Sequence, residues 1–147
     1  MTLSAGQTFG EAAAEVIAAR TAAVFAARHD VLDTTDIEGV HRMRVATRRL
    51  RAALEVFRPC LDRRQGARAL AEVKALADAL GERRDRDVQL ERLERLEAKC
   101  AGAERHAVEL LADELRREQR RANRHLAKAL AHSDREQLHK RLEKLAR

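Results

Sequence analysis

Tyrosine and tryptophan are absent from the 147 residues, and phenylalanine occurs three times. The core must therefore be aliphatic, and the chain has almost nothing on which to stack a base or a sugar ring. Proline occurs once, and no stretch alternates apolar and polar residues as a half-buried strand does. The two cysteines, Cys60 and Cys100, are too few for a disulfide framework and fit a reducing compartment. No run approaches the roughly 18 apolar residues of a membrane span. The N-terminus lacks the basic-then-apolar order of a secretory leader, and Glu11 and Glu15 argue against a transit peptide. These absences predict a cytoplasmic protein with no membrane span.

What remains is the composition of long helices. Charged residues make up 37% and the apolar set 45%, with Ala, Leu, Glu and Arg prominent, all strong helix formers. The length suits one domain, residues 1–147, with a real core. A net charge of +6 and a pI near 10.1 point to an anionic partner such as a nucleic acid, a phosphate polymer or an acidic membrane. The charge is weak evidence by itself, since many of the 30 basic residues have acids one helical turn away.

Taken in order, Ser4 to His29 reads as a first helix with Phe9, Ala13, Val16, Ala23 and Ala27 on one stripe. Arg20 falls inside that stripe, either lying on the core with its head in water or aimed at the basic face of the next helix. Asp36 is placed to cap a second helix that ends near Arg58-Pro59. A third helix is expected from about Gln65 to Leu80, with Leu70, Val73, Leu76 or Ala77, and Leu80 inward and Gly81 as a C-cap or kink. The charge-dense Gly81–Val88 stretch then separates it from a helix carrying Leu90, Leu93, Leu96 and Cys100, with Asp85 or Asp87 as its cap. Gly102 breaks the pattern. Glu104 to Ala131 is a long helix with Val108, Leu111, Leu115, Ala122, Leu126 and Ala129 inward. Arg117, Arg121, Arg124 and Lys128 lie opposite that stripe, as a solvated face does. Ser133-Asp134-Arg135-Glu136 resembles a capping box opening a short last helix with Leu138, Leu142 and Leu145. The fold class is all-α, an antiparallel bundle of about four main helices plus short ones.

Several chemistries have no support. His41 has no ligand-type residue at i+3 or i+4, and His125, His132 and His139 are seven apart with no cysteine pair, so no metal site is expected. No Gly-rich phosphate loop or nucleophile motif appears, and no pair of acids stands out as an acid/base couple. Neither a cofactor nor catalytic residues are expected.

The second helix is where the unusual pattern lies. Val40, Met43, Thr47, Leu50, Leu54 and Phe57 recur at helical spacing and must face a core. One step over, His41, Arg44, Arg48 and Arg51 form a row of cations with Glu55 at its end. Such a row costs repulsion energy unless an anion lies along it. Arginine grips phosphate oxygens two at a time, and successive residues on one helix face are about 5–6 Å apart, close enough for a chain of phosphates to touch several. His41 adds a donor whose charge depends on pH, and a nearby polyanion favours the charged form.

The segment V-H-R-M-R-V-A-T-R-R-L-R-A-A-L-E-V-F-R-P (Val40–Pro59), followed by L-A-D-A-L-G-E-R-R-D-R-D-V (Leu76–Val88), resembles the CHAD family, the conserved-histidine α-helical domains. The resemblance covers nearly the whole chain. It implies binding of inorganic polyphosphate through a basic cavity in an all-helical fold. Carried over by position, it assigns the grip to His41, Arg44, Arg48, Arg49 and Arg51, with Arg84 from the second motif. Asp85 and Asp87 become the carboxylates that orient arginines. Arg20 is a further candidate that the motifs do not fix. A typical member has two similar four-helix halves, whereas this chain resembles one half, the N-terminal one. The expectation is therefore a homodimer that rebuilds the cavity, associated with polyphosphate or storage granules. The alternatives are a nucleic-acid binder, which the missing stacking residues make unlikely, and a helical scaffold or adapter with an acidic protein partner.

Overall fold

The computed structural model describes residues 6–147. Its elements are α1 (Phe9–Ala26), α2 (Ile37–Val56), a 3-10 turn (Arg58–Cys60), α3 (Arg63–Glu97), α4 (Gly102–Arg135) and α5 (Leu138–Leu145). No strand occurs among the described residues, and the helices pack as an antiparallel all-α bundle. α2 lies between α1 and α3, α3 pairs with α4, and α5 folds back against α1, α3 and α4. Phe9 at the start of α1 meets Phe57 just after α2, with ring centroids 5.0 Å apart.

Local chemistry sets the boundaries. The expected start at Ser4 lies outside the described residues. Within them α1 opens on Thr8, whose hydroxyl accepts from the Glu11 amide while the Glu11 carboxylate accepts from the Thr8 amide, a reciprocal capping box. The buried stripe of α1 is Ala13, Val16, Ile17, Thr21 and Val24. Phe9, placed in that stripe from its spacing, is 54% exposed. Asp36 caps α2 as expected, accepting from the Glu38 amide at 3.0 Å, and every residue of the stripe from Val40 to Phe57 is buried.

The expected break at Gly81 does not occur. α3 runs through it for 35 residues, so Gly81 is neither cap nor kink, and Asp85 and Asp87 cap nothing. Polar side chains read as a linker are here part of a helical seam. Arg83 and Asp87 lie one turn apart on the side that carries Leu80 and Leu90, all four buried against α4. The interruption comes later, where Gly102 opens α4 at φ +56, a left-handed conformation that glycine adopts without the Cβ penalty. Ser133 and Asp134 also depart from expectation, because they sit inside the last turn of α4. The Ser133 hydroxyl donates back to the Leu130 carbonyl at 2.7 Å, and Asp134 accepts a two-pronged bond from Arg28 at 2.5 and 2.6 Å. α5 instead follows Gln137, whose φ is +54; its Leu138 and Leu142 are buried and Leu145 half-buried.

The shared core joins α1, α2, α5, the first half of α3 and the last part of α4. It contains no residue between Leu80 and Leu126. At about 1.5 Å per residue, α3 is roughly 50 Å long, against 20 residues for α2. The outer part of the α3–α4 hairpin therefore extends as a two-helix arm held by its own seam, in which Leu90, Ala112 and Ala122 are buried. Leu111, expected inward, is 53% exposed.

A continuous α3 has a direct consequence. No atom lies within 4 Å of a Cβ built on Gly81, so Gly81→Ala should stabilise the protein by about 0.5–1 kcal/mol. Urea unfolding measures it, and a destabilised variant would show that Gly81 does not sit in ordinary helix.

Candidate anion-binding surface

Burial of the Val40–Phe57 stripe turns the opposite side of α2 outward as a ridge, and the cations divide about its crest. On the α1 flank, a groove of about 340 Å³ is lined by Arg20, Ala23, Ala27, His41, Arg42, Val45, Ala46 and Arg49. No carboxylate residue is among them. Arg20, His41 and Arg49 form no ion pair among the described residues, and Arg42 reaches Asp36 at 3.4 Å. The α3 flank holds a groove of about 350 Å³, lined by Arg44, Arg48, Arg51, Ala77, Asp78, Gly81, Glu82 and Asp85. Here three arginines face three acids.

The two flanks differ in electrostatics for a reason that local sequence does not contain. Acids are scarce within α2 itself, but α3 supplies Asp78, Glu82 and Asp85 from across the groove. Arg51 is also engaged by its own helix, its Nε donating to Glu55 at 3.0 Å. That bond, with Lys74 at 3.8 Å, holds the Glu55 carboxyl below the ordinary carboxylate range. Glu82 is shared with α4, where His125 Nδ1 lies 2.6 Å from its carboxylate.

The second motif lies elsewhere. Arg84 donates to the Ile37 carbonyl at 3.3 Å, so it braces the start of α2 and lines neither groove. Asp85 faces the three arginines of the α3 flank. Asp87 does hold an arginine, but it is Arg83, and the pair is buried between α3 and α4. Arg83 is 0% and Asp87 1% exposed, with Nη2 and Oδ1 3.0 Å apart. Gln119 donates to the same Asp87 oxygen at 2.7 Å. Arg83 Nη1 donates to Asn123 at 3.0 Å, and Asn123 donates to the Leu32 carbonyl at 2.9 Å. One network thus ties α3, α4 and the α1–α2 loop. Burial pushes the Asp87 carboxyl up, against the opposing pull of Gln119 and Arg83.

A family model described as the CHAD domain matches residues 15–147. The chain belongs to the CHAD family. No curated protein and no solved structure matches it.

In this CHAD chain the expected site residues thus fall into three places. Arg20, His41 and Arg49 come together on the α1 flank, where Arg20 is half-buried. Arg44, Arg48 and Arg51 come together on the α3 flank with Asp85. Arg84 and Asp87 belong to the scaffold. Arg42 was missed by sequence reasoning, although its spacing of seven from Arg49 would have placed both on one flank. Arg83 was missed because a charged residue beside Gly81 reads as surface. Among the described residues no three His, Cys, Asp or Glu side chains group as metal ligands.

The buried pair makes a prediction. Asp87→Ala leaves the Arg83 guanidinium buried and unmatched, a loss of about 3–5 kcal/mol in urea unfolding. Arg83→Met with Asp87→Leu removes both charges and should cost less than the single change. If Asp87→Ala unfolds like wild type, the pair does not fasten the hairpin.

Proposed function

We propose that this CHAD chain binds inorganic polyphosphate along the ridge of α2, with Arg20, His41, Arg42 and Arg49 as the stronger flank. The observation that carries this reading is the α1–α2 groove, where three arginines and a histidine line a depression with no opposing carboxylate. An anion entering there meets cations whose mutual repulsion it relieves. On the α3 flank it must compete with Asp78, Glu82 and Asp85. Arg48, exposed near the crest, is positioned to continue the contact from one flank to the other. The family resemblance supports phosphate polymer as the anion, and so does the scarcity of aromatic rings, since a phosphate chain offers nothing to stack. The reading is of a binding protein without turnover.

Titration with long-chain polyphosphate over a range of salt concentrations tests it. By analogy with nucleic acids, each phosphate contact contributes about 0.7–0.9 to the slope of log affinity against log salt. Arg20→Ala with Arg49→Ala should therefore flatten the slope by roughly 1.5 and weaken binding on the order of 100-fold. Arg44→Ala with Arg48→Ala should weaken it less, because Asp78, Glu82 and Asp85 line the same groove and oppose an entering anion. Unchanged affinity in the first variant would place the site elsewhere. Displacement of polyphosphate by duplex DNA at matched phosphate concentration would favour a nucleic acid as the ligand.

A further inference from the structure

Between Gln119 and Ser133, α4 carries Arg120, Arg121, Arg124 and Lys128, two histidines and no acid. Its buried side there is Ala122, Leu126, Leu130 and Ser133. Arg121, Arg124, Lys128 and Arg135 recur at the three-, four- and seven-residue intervals of one helix face and project on the opposite side, all exposed. None of these four forms an ion pair or hydrogen bond among the described residues. The acids that border the row are engaged: Glu114 by Arg117 at 2.6 Å, Glu118 by Arg86 at 2.7 Å, Glu82 by His125 at 2.6 Å and Asp134 by Arg28. At about 1.5 Å per residue the row from Arg121 to Arg135 is roughly 21 Å long. It is an unmatched line of charge on a helix distinct from α2.

We propose, on the basis of the polyphosphate reading of α2, that this row is a second track for the same polymer. Only a long chain reaches it, so the protein discriminates chain length. Glu82 lines the α3-flank groove with Arg44, Arg48 and Arg51, and its carboxylate meets His125 of α4. Arg121, Lys128 and His132 stand at i−4, i+3 and i+7 from His125, the positions that share its side of the helix. The cations of α2 and those of α4 therefore border α3 on one side of the bundle. Neighbouring helices lie about 8–10 Å apart, which separates the two rows by roughly 16–20 Å. A chain crossing α3 is opposed by Asp78 and Asp85 and drawn by the three arginines of that groove. Tripolyphosphate held beside α2 is too short to cross, whereas a long chain engaged there meets α4 at a high effective concentration. The row lacks what other partners require. The centre of a protein interface is apolar, and from Arg121 to Arg135 this face offers only Ala131; a single-stranded nucleic acid needs rings on which to stack.

Calorimetric titration with long-chain polyphosphate and with tripolyphosphate, at matched salt, tests the second track. Arg121→Ala/Arg124→Ala/Lys128→Ala replaces three exposed side chains with a good helix former. It should weaken long-chain binding at least tenfold and flatten its salt slope by roughly 2–3, leaving tripolyphosphate binding within about twofold of wild type. Arg92→Ala/Arg95→Ala/Lys99→Ala removes the same charge from the outer arm and should change neither affinity by more than about twofold. Unchanged long-chain affinity in the α4 variant overturns the proposal. So do equal losses for the two ligands, or an equal loss in the arm variant, which would make net charge the cause. Loss of duplex DNA binding with long-chain polyphosphate binding intact would assign the row to a nucleic acid and overturn it as well. Failure of the α2 reading is separately visible, because Arg20→Ala with Arg49→Ala would then leave tripolyphosphate binding unaltered whatever the α4 variant does.

Discussion

The rotation of α2 about its own axis is the constraint on which the surface depends. Val40, Met43, Thr47, Leu50 and Leu54 are almost fully buried on one side. Turning the helix by a single residue, about 100°, would drive arginines into that core. Burying an unpaired guanidinium costs several kcal/mol, and exposing a Leu or Met costs roughly 1.5–3 kcal/mol. With five such positions in register, no neighbouring orientation competes. The cations are therefore directed outward by the apolar residues, without needing partners of their own.

What that stripe does not determine is how the cations are divided. Arg44 and Arg51 share a flank because they are seven residues apart, about two turns, and so do Arg42 and Arg49. His41 and Arg48 lie between. The chemistry of each flank then depends on its neighbour. α1 presents Ala23 and Ala27 with one arginine, whereas α3 presents three acids. A row that looks uniform along the chain becomes one groove lined without acids and one lined with three.

The same distinction explains how much was legible in the sequence. The stripe of α2, its Asp36 cap and its end before Pro59 are local features, and all three follow from spacing and backbone chemistry. Gly81 misleads because glycine costs only about 1 kcal/mol in a helix, and here the seam that follows outweighs it. The side chains that make this seam continuous, Gln119 and Asn123, lie more than thirty residues further along the chain. Ser133-Asp134 misleads in the opposite sense: the residue types of a cap are present, but Arg28, 106 residues away, holds the aspartate while the serine bonds its own helix. Capping motifs and charge runs identify residue types able to make a bond, and the distant partner decides which bond is made.

The scaffold and the surface also use charge in different ways. Arg83 and Asp87 are buried and paired, each with one amide side chain bonded to it, although Arg83 Nε and Asp87 Oδ2 find no hydrogen-bond partner. The arrangement links the hairpin to the α1–α2 loop while offering nothing to solvent. Arg20, His41 and Arg49 are left open and unmatched, which stabilises nothing in the free protein. Their repulsion is retained because α1 brings no acid to the groove, although acids make up 24 of the 147 residues. The groove lining contains no carboxylate, unlike the groove on the α3 flank. The linear anion proposed as ligand, which offers no ring to stack, is compatible with that exclusion and with the near absence of aromatic side chains.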